Sequence, residues 1–212
     1  FREHFVAAMR VLTPDIANLY ITTGELLLDI ALLRSLNDYV ADDMSKQAMK
    51  LVNRDESRHI AIDYHMVEYY ASPDYDAWLA QQPSLSPAER ARAGVVIAGF
   101  VAHAAPFFRD VFFAPMDLVD PTGKRLVEAF KRIQLLGAKP GMAERPFAKS
   151  LQSMQSTFEH PVAGKLLGPL ISRVMGVDPR VIRVLYTEEE ARRAAKMSVT
   201  EMAEEALSAK FA

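Results

Sequence analysis

Glu25 and Glu56 stand 31 residues apart with a polar turn midway between them, and His59 follows Glu56 by three positions in the string Asp55-Glu56-Ser57-Arg58-His59. On a helix, residues three apart share a face, so Glu56 and His59 can grip one ion together. Asn37 and Asp38 supply a helix stop, and Asp42 and Asp43 a new start. If the chain reverses there into two antiparallel helices, the midpoint between the two glutamates falls inside the turn and both carboxylates lie at nearly equal height. At a rise of ~1.5 Å per residue each sits roughly 23 Å from the hairpin tip, near mid-bundle rather than at a solvated end. Three side chains of metal-binding type are thereby expected at one point.

The neighbours of Glu25 argue for an interior position. Ile21, Leu26, Leu27, Leu28, Ile30 and Leu32 surround it with apolar side chains on nearly every side of the helix. A carboxylate left unpaired in such a setting costs several kcal/mol or keeps its proton, and a bound cation offsets that cost. The ordinary alternative is a polar cluster or a stripe on the helix surface. The chain has no Cys, which excludes disulfides, iron–sulfur clusters and thiolate metal sites and leaves carboxylate and imidazole as the strong ligands.

A Glu on one helix and a Glu-x-x-His on its neighbour form half of the inward-facing constellation of ferritin-like dimetal carboxylate bundles. The D-E-x-R-H string resembles the signature of O2-activating di-iron monooxygenases and of the aminobenzoate N-oxygenase family, over roughly Glu25 to Tyr70. The resemblance implies an all-α, ferritin-like helical bundle. It implies Glu25 and Glu56 as carboxylate ligands and His59 as the imidazole ligand. It places Asp55, and with it Arg58, around the ligands, Asp55 fixing the direction of a ligating His. For Arg58 the alternative is a solvated charge on the outer face. The implied cofactor is two iron ions, with manganese or a mixed manganese–iron pair as the alternative. The implied chemistry is hydroxylation or N-oxygenation of a small, largely apolar substrate by O2. No nucleotide fingerprint is present, so electrons are expected from an external donor.

The chain departs from the family pattern in one respect: no other E-x-x-H occurs in its 212 residues. The chain opens at Phe1 inside what reads as a helix, so one expectation is an upstream segment carrying a second Glu and a second Glu-x-x-His. The other draws on His103 with Asp110, or on Glu128. His103 lies in the apolar run Ala93 to Phe108, where a lone His is more often a core residue. Glu128 and Glu159 repeat the 31-residue separation, but Pro161 follows His160, and Val162 stands where a His is needed. His65, nine positions after Glu56, falls on the opposite face of its helix. His4 adjoins Glu3, and one of the two caps the site if the first helix packs beside the hairpin.

Helical periodicity predicts helices at 1–12, 14–36, 43–71, 86–114, 123–136, 147–160, 162–175, 178–185 and 187–208, with almost no strand alternation. Residues 1–120 read as a bundle core carrying the metal hairpin, and 121–212 as a helical extension packed on it. Ser198 to Ala206 reads as a terminal amphipathic arm for a partner subunit, as in a homodimer. A net charge of -2 gives no basic face for nucleic acid. Arg2, Glu3, His4 and Arg10 interrupt any secretory signal, and the run Ala93 to Phe108 is shorter than a spanning helix and reads as a buried core helix. A cytoplasmic protein without a transmembrane span is the expectation. Phe107, Phe108, Phe112 and Phe113 are candidates for an aromatic wall over a substrate cavity, core packing being the commoner role. The alternatives to an oxygenase are a non-catalytic metal-binding or storage bundle, and a helical interaction module keeping a relic half-site.

Overall fold

The computed structural model describes residues 1–175 and 179–211, and these are helical with no strand among them. Helix α1 spans Arg2–Met9. Helix α2 runs from Pro14, a first-turn proline after Thr13, to Asn37, and widens into a π-helical segment over Leu27–Leu33. Helix α3, Asp43–Tyr70, begins where the Asp42 carboxylate accepts the Ser45 N–H at 2.8 Å. The predicted reversal between the glutamates is therefore present, and α2 and α3 pack against each other.

A short helix α4, Pro73–Ala80, fills a stretch the periodicity left as loop. Its signal was Ser72 before Pro73: the Ser72 hydroxyl accepts the Tyr75 N–H, and Pro73 occupies the first turn. Tyr75 is buried and donates its hydroxyl to Asp15 at 2.9 Å, fastening α4 to the start of α2.

Helix α5 starts at Pro87 with the Ser86–Glu89 capping box and continues to Val119, well past the predicted end. Pro106 removes one backbone donor inside it, and a π-helical segment at Arg109–Phe113 follows. The expectation of a buried core helix fails here. Only 17% of its most apolar window is buried, and Val95 is 74% exposed. By length and composition alone, α2 and α5 are each long and apolar enough to cross a membrane, a test that core helices of soluble proteins also pass.

Helix α6, Lys124–Ala138, follows Gly123, whose φ of 65° suits a residue without a Cβ. Helices α7, Pro146–Glu159, and α8, Ala163–Met175, come next, then the single turn α9, Pro179–Ile182. Residue 178, predicted to start that helix, lies outside the described residues. The final predicted helix is two, α10 at Glu188–Lys196 and α11 at Val199–Phe211. Ser198 and Glu201 form a reciprocal cap of 3.1 and 2.6 Å that starts a new helix, and Lys139 holds the corner by donating to the Met197 carbonyl.

One apolar cluster crosses the 120/121 boundary. Leu26 and Ile30 of α2 and Tyr64 of α3 pack with Ile133 and Leu136 of α6 and with Met202 and Ala206 of α11. The terminal arm thus docks on its own chain, against α3 and the π segment of α2, and its apolar stripe is spent there. A second cluster joins Ala8 of α1 to Phe100 and Ala104 of α5.

Candidate metal centre

Two helices supply the site. Helix α2 offers Glu25 and α3 offers Glu56 and His59, and one ligand atom from each lies within 4.8 Å of the others. His59 Nδ1 is 3.0 Å from Glu56 Oε2 and 3.9 Å from Glu25 Oε2. The i, i+3 spacing on α3 and the capped turn at Asp42 produce this meeting, because the first sets the face and the second the register. The Glu25 and Glu56 side chains keep 23% and 21% of their exposure and His59 keeps 53%, so the cluster is rooted in the interior and open on one side.

The electrostatics are those of crowded acids. Burial first, and then the neighbouring carboxylates of Glu56, Asp63 and Asp29, push Glu25 up to about 7, against the favourable pull of His59. Burial also pushes Asp63 up to about 6, again opposed by His59. These two further acids were not singled out from the sequence, although the signal was there. Asp29 follows Glu25 by four positions, and Asp63 follows His59 by four, so each falls on the ligand face of its helix. Asp29 is fully buried within the π segment and Asp63 is 8% exposed.

A cation fits this donor set. Glu25 Oε2 is buried without a hydrogen-bond partner among the described residues, a costly state that a positive ion relieves. The donors are carboxylate oxygen and imidazole nitrogen, suited to iron, manganese or zinc. An ion held by these three side chains would face solvent on the side where His59 is half exposed.

The other candidates lie elsewhere. Asp55 is next to Glu56 and so turns about 100° away from the ligand face; its carboxylate accepts from Arg58 at 2.9 Å, and both side chains are more than half exposed. His103 is exposed rather than in the core. Its Nδ1 lies 2.8 Å from the Gly99 carbonyl, and its ring stacks on His4 at 3.9 Å. That stack places α1 on α5, so His4 and Glu3 do not cap the cluster. Glu128 pairs with Arg132 at 2.6 Å, and Asp110 with Arg109 at 2.8 Å. His65 is exposed beside Glu68, and His160 accepts the Ala163 N–H at the start of α8. Phe107 stacks on Phe1, whereas Phe108 and Phe113 border an apolar cavity. Comparison of the chain with protein-family models, with curated proteins and with solved structures finds no match.

Proposed function

We propose that Glu25, Glu56 and His59 hold a redox-active metal ion, and that the chain serves an O2-dependent oxidoreductase acting on a small, largely apolar substrate. The observation that carries this reading is the meeting of the three side-chain donor atoms within 4.8 Å, with a Glu25 oxygen that is buried without a hydrogen-bond partner among the described residues. Iron, when bound, supplies one-electron chemistry with O2 at its open positions. The chain's own residues do the rest. Glu25 and Glu56 neutralise the ion, His59 tunes it, and Glu25, with its raised proton affinity, releases a proton as the ion enters. The D-E-x-R-H resemblance favours two ions, which would need a second Glu and Glu-x-x-His beyond the three donors present. Electrons would come from a separate donor.

Metal analysis of the chain after loading with ferrous iron under argon tests the assignment. The expected result is iron bound by the unaltered chain and by Ser57→Ala, and lost in Glu56→Ala and His59→Ala, together with reductant-driven O2 uptake. Unchanged iron in Glu56→Ala would show the ligand assignment to be wrong. Iron bound without O2 uptake would leave the non-catalytic metal-binding reading, which the half-exposed His59 also favours.

A further inference from the structure

On the side of α2 away from the acidic cluster lies a cavity of about 270 Å³. Its α2 wall is made by Tyr20, Thr23 and Leu27, which stand roughly 140–200° around the helix from Glu25 at about 100° per residue. The opposite walls come from α5, with Ala105 and Phe108, and from α6, with Gln134. A helix with its side chains is about 10 Å across, so a molecule in the cavity has α2 between itself and the carboxylates.

The lining is chemically uniform. None of the described lining residues carries a charge. Its polar groups are mostly committed to the protein. The Gln134 amide donates to the Val181 and Arg183 carbonyls at 3.0 and 2.8 Å and accepts the Leu185 N–H at 2.9 Å. The Thr23 hydroxyl donates to the Leu19 carbonyl at 2.8 Å. Only Tyr20 brings a hydroxyl with no hydrogen bond to another described residue, while its ring packs edge-on against Phe100 and Phe108. Burial pushes that hydroxyl up to about 12, so it stays protonated.

The pocket is a cleft partly open to solvent, with Val101 and Phe108 partly exposed at its walls, and small-molecule sites are typically concave, mostly apolar and furnished with a few polar groups. An apolar cavity of about 150 Å³ stays dry and admits benzene. The volume here is almost twice that, room for a fused two-ring aromatic or an alkyl chain of roughly ten carbons. Water inside it finds few partners on the walls, where one hydroxyl is uncommitted, so an apolar molecule that displaces that water gains by burial.

We infer that this cavity is a binding site for a neutral apolar small molecule, a bicyclic aromatic or medium-chain alcohol, seated between α2, α5 and α6 with its polar end at the Tyr20 hydroxyl and out of contact with the Glu25–Glu56–His59 cluster. The site stands whether or not the metal reading does.

Titration of the full chain with the neutral fluorophore N-phenyl-1-naphthylamine tests it. The expected result is saturable, blue-shifted fluorescence at one equivalent per chain. Decanol should displace the fluorophore, with decanoate at least tenfold weaker. Ala105→Trp fills the cavity and should weaken uptake at least tenfold with helicity unchanged. Val101→Trp, at a partly exposed lining position, serves the same purpose if the first variant does not fold. Glu56→Ala should lose metal yet retain the fluorophore. Unsaturable fluorescence, equal uptake by a folded filled variant, displacement by decanoate as readily as by decanol, or loss of uptake in Glu56→Ala would each overturn the inference.

Discussion

Burial and the adjacent Glu56 carboxylate raise Glu25 from its ordinary 4.5 to about 7, and burial raises Asp63 from 3.8 to about 6. In both cases the folded chain binds its proton more tightly than the unfolded chain does. Below the unfolded values both states are protonated and nothing is lost. As pH rises from about 4 to 7 the unfolded chain ionises first, so stability falls, and above the folded values the penalty is complete. For Glu25 this amounts to roughly 2 kcal/mol after allowance for its partial exposure. Urea unfolding of chelator-treated protein should therefore show lower stability at pH 8 than at pH 5, and Glu25→Gln should remove most of the difference. A stability that rises between pH 5 and 8, with no change in the variant, would contradict the raised value. Saturating metal should reverse the trend, because the ion favours the ionised carboxylates.

At the scale of elements, α4 shows how a short helix is held by tertiary bonds rather than by propensity. Eight residues are too few for a stable isolated helix, and what secures them is the Ser72 cap, the buried Tyr75 and an Arg145–Asp76 ion pair from the start of α7. Tyr75→Phe removes the bond to Asp15 and should cost ~1–2 kcal/mol, read from the shift in denaturation midpoint at constant slope. The metal uptake proposed for the hairpin should not change, since α4 lies beyond the end of α3 and away from Glu25, Glu56 and His59. The π segment of α2 has a different consequence. It begins two residues after Glu25 and seats Asp29 in the interior, next to Ile30 and Ala31. π-turns occur mostly as local departures within α-helices and frequently at functional sites.

For the whole molecule, the decisive contact is that of the hairpin with the distal helices. Leu136 of α6 is fully buried in the same cluster as Leu26, Ile30 and Tyr64, which hold the inner side of the helices that carry Glu25, Glu56 and His59. Leu136→Ala should cost about 2–5 kcal/mol through lost burial and a residual cavity. Because that core backs α2 and α3, the variant should also bind metal more weakly, as titration calorimetry would show. Undiminished stability would mean that the distal helices contribute little to the hairpin. Around α6 and α11, the largely buried Arg132 bridges Glu128 and Glu205 and joins the same elements electrostatically.

The helical class, most helix starts and the meeting of Glu25, Glu56 and His59 are legible in the chain alone. Each of these rests on short-range regularities: the helical period, the caps at Asp42 and Ser86, and the equal distance of Glu25 and Glu56 from their turn. Those rules act within a few residues or across one hairpin, so they are visible in a single chain. Which surfaces meet was left to the tertiary structure. The apolar run at 93–108 reads as a core helix and the amphipathic stripe at 198–206 as an arm for a partner, yet the first is only partly covered and the second is buried against α3 of its own chain. The π segments are also invisible to a 3.6-residue period. Hydrophobic attraction is non-directional, so a pattern says that a face should be covered but not by what. His103, read as a core residue and found exposed on α5, is the residue where that distinction mattered most.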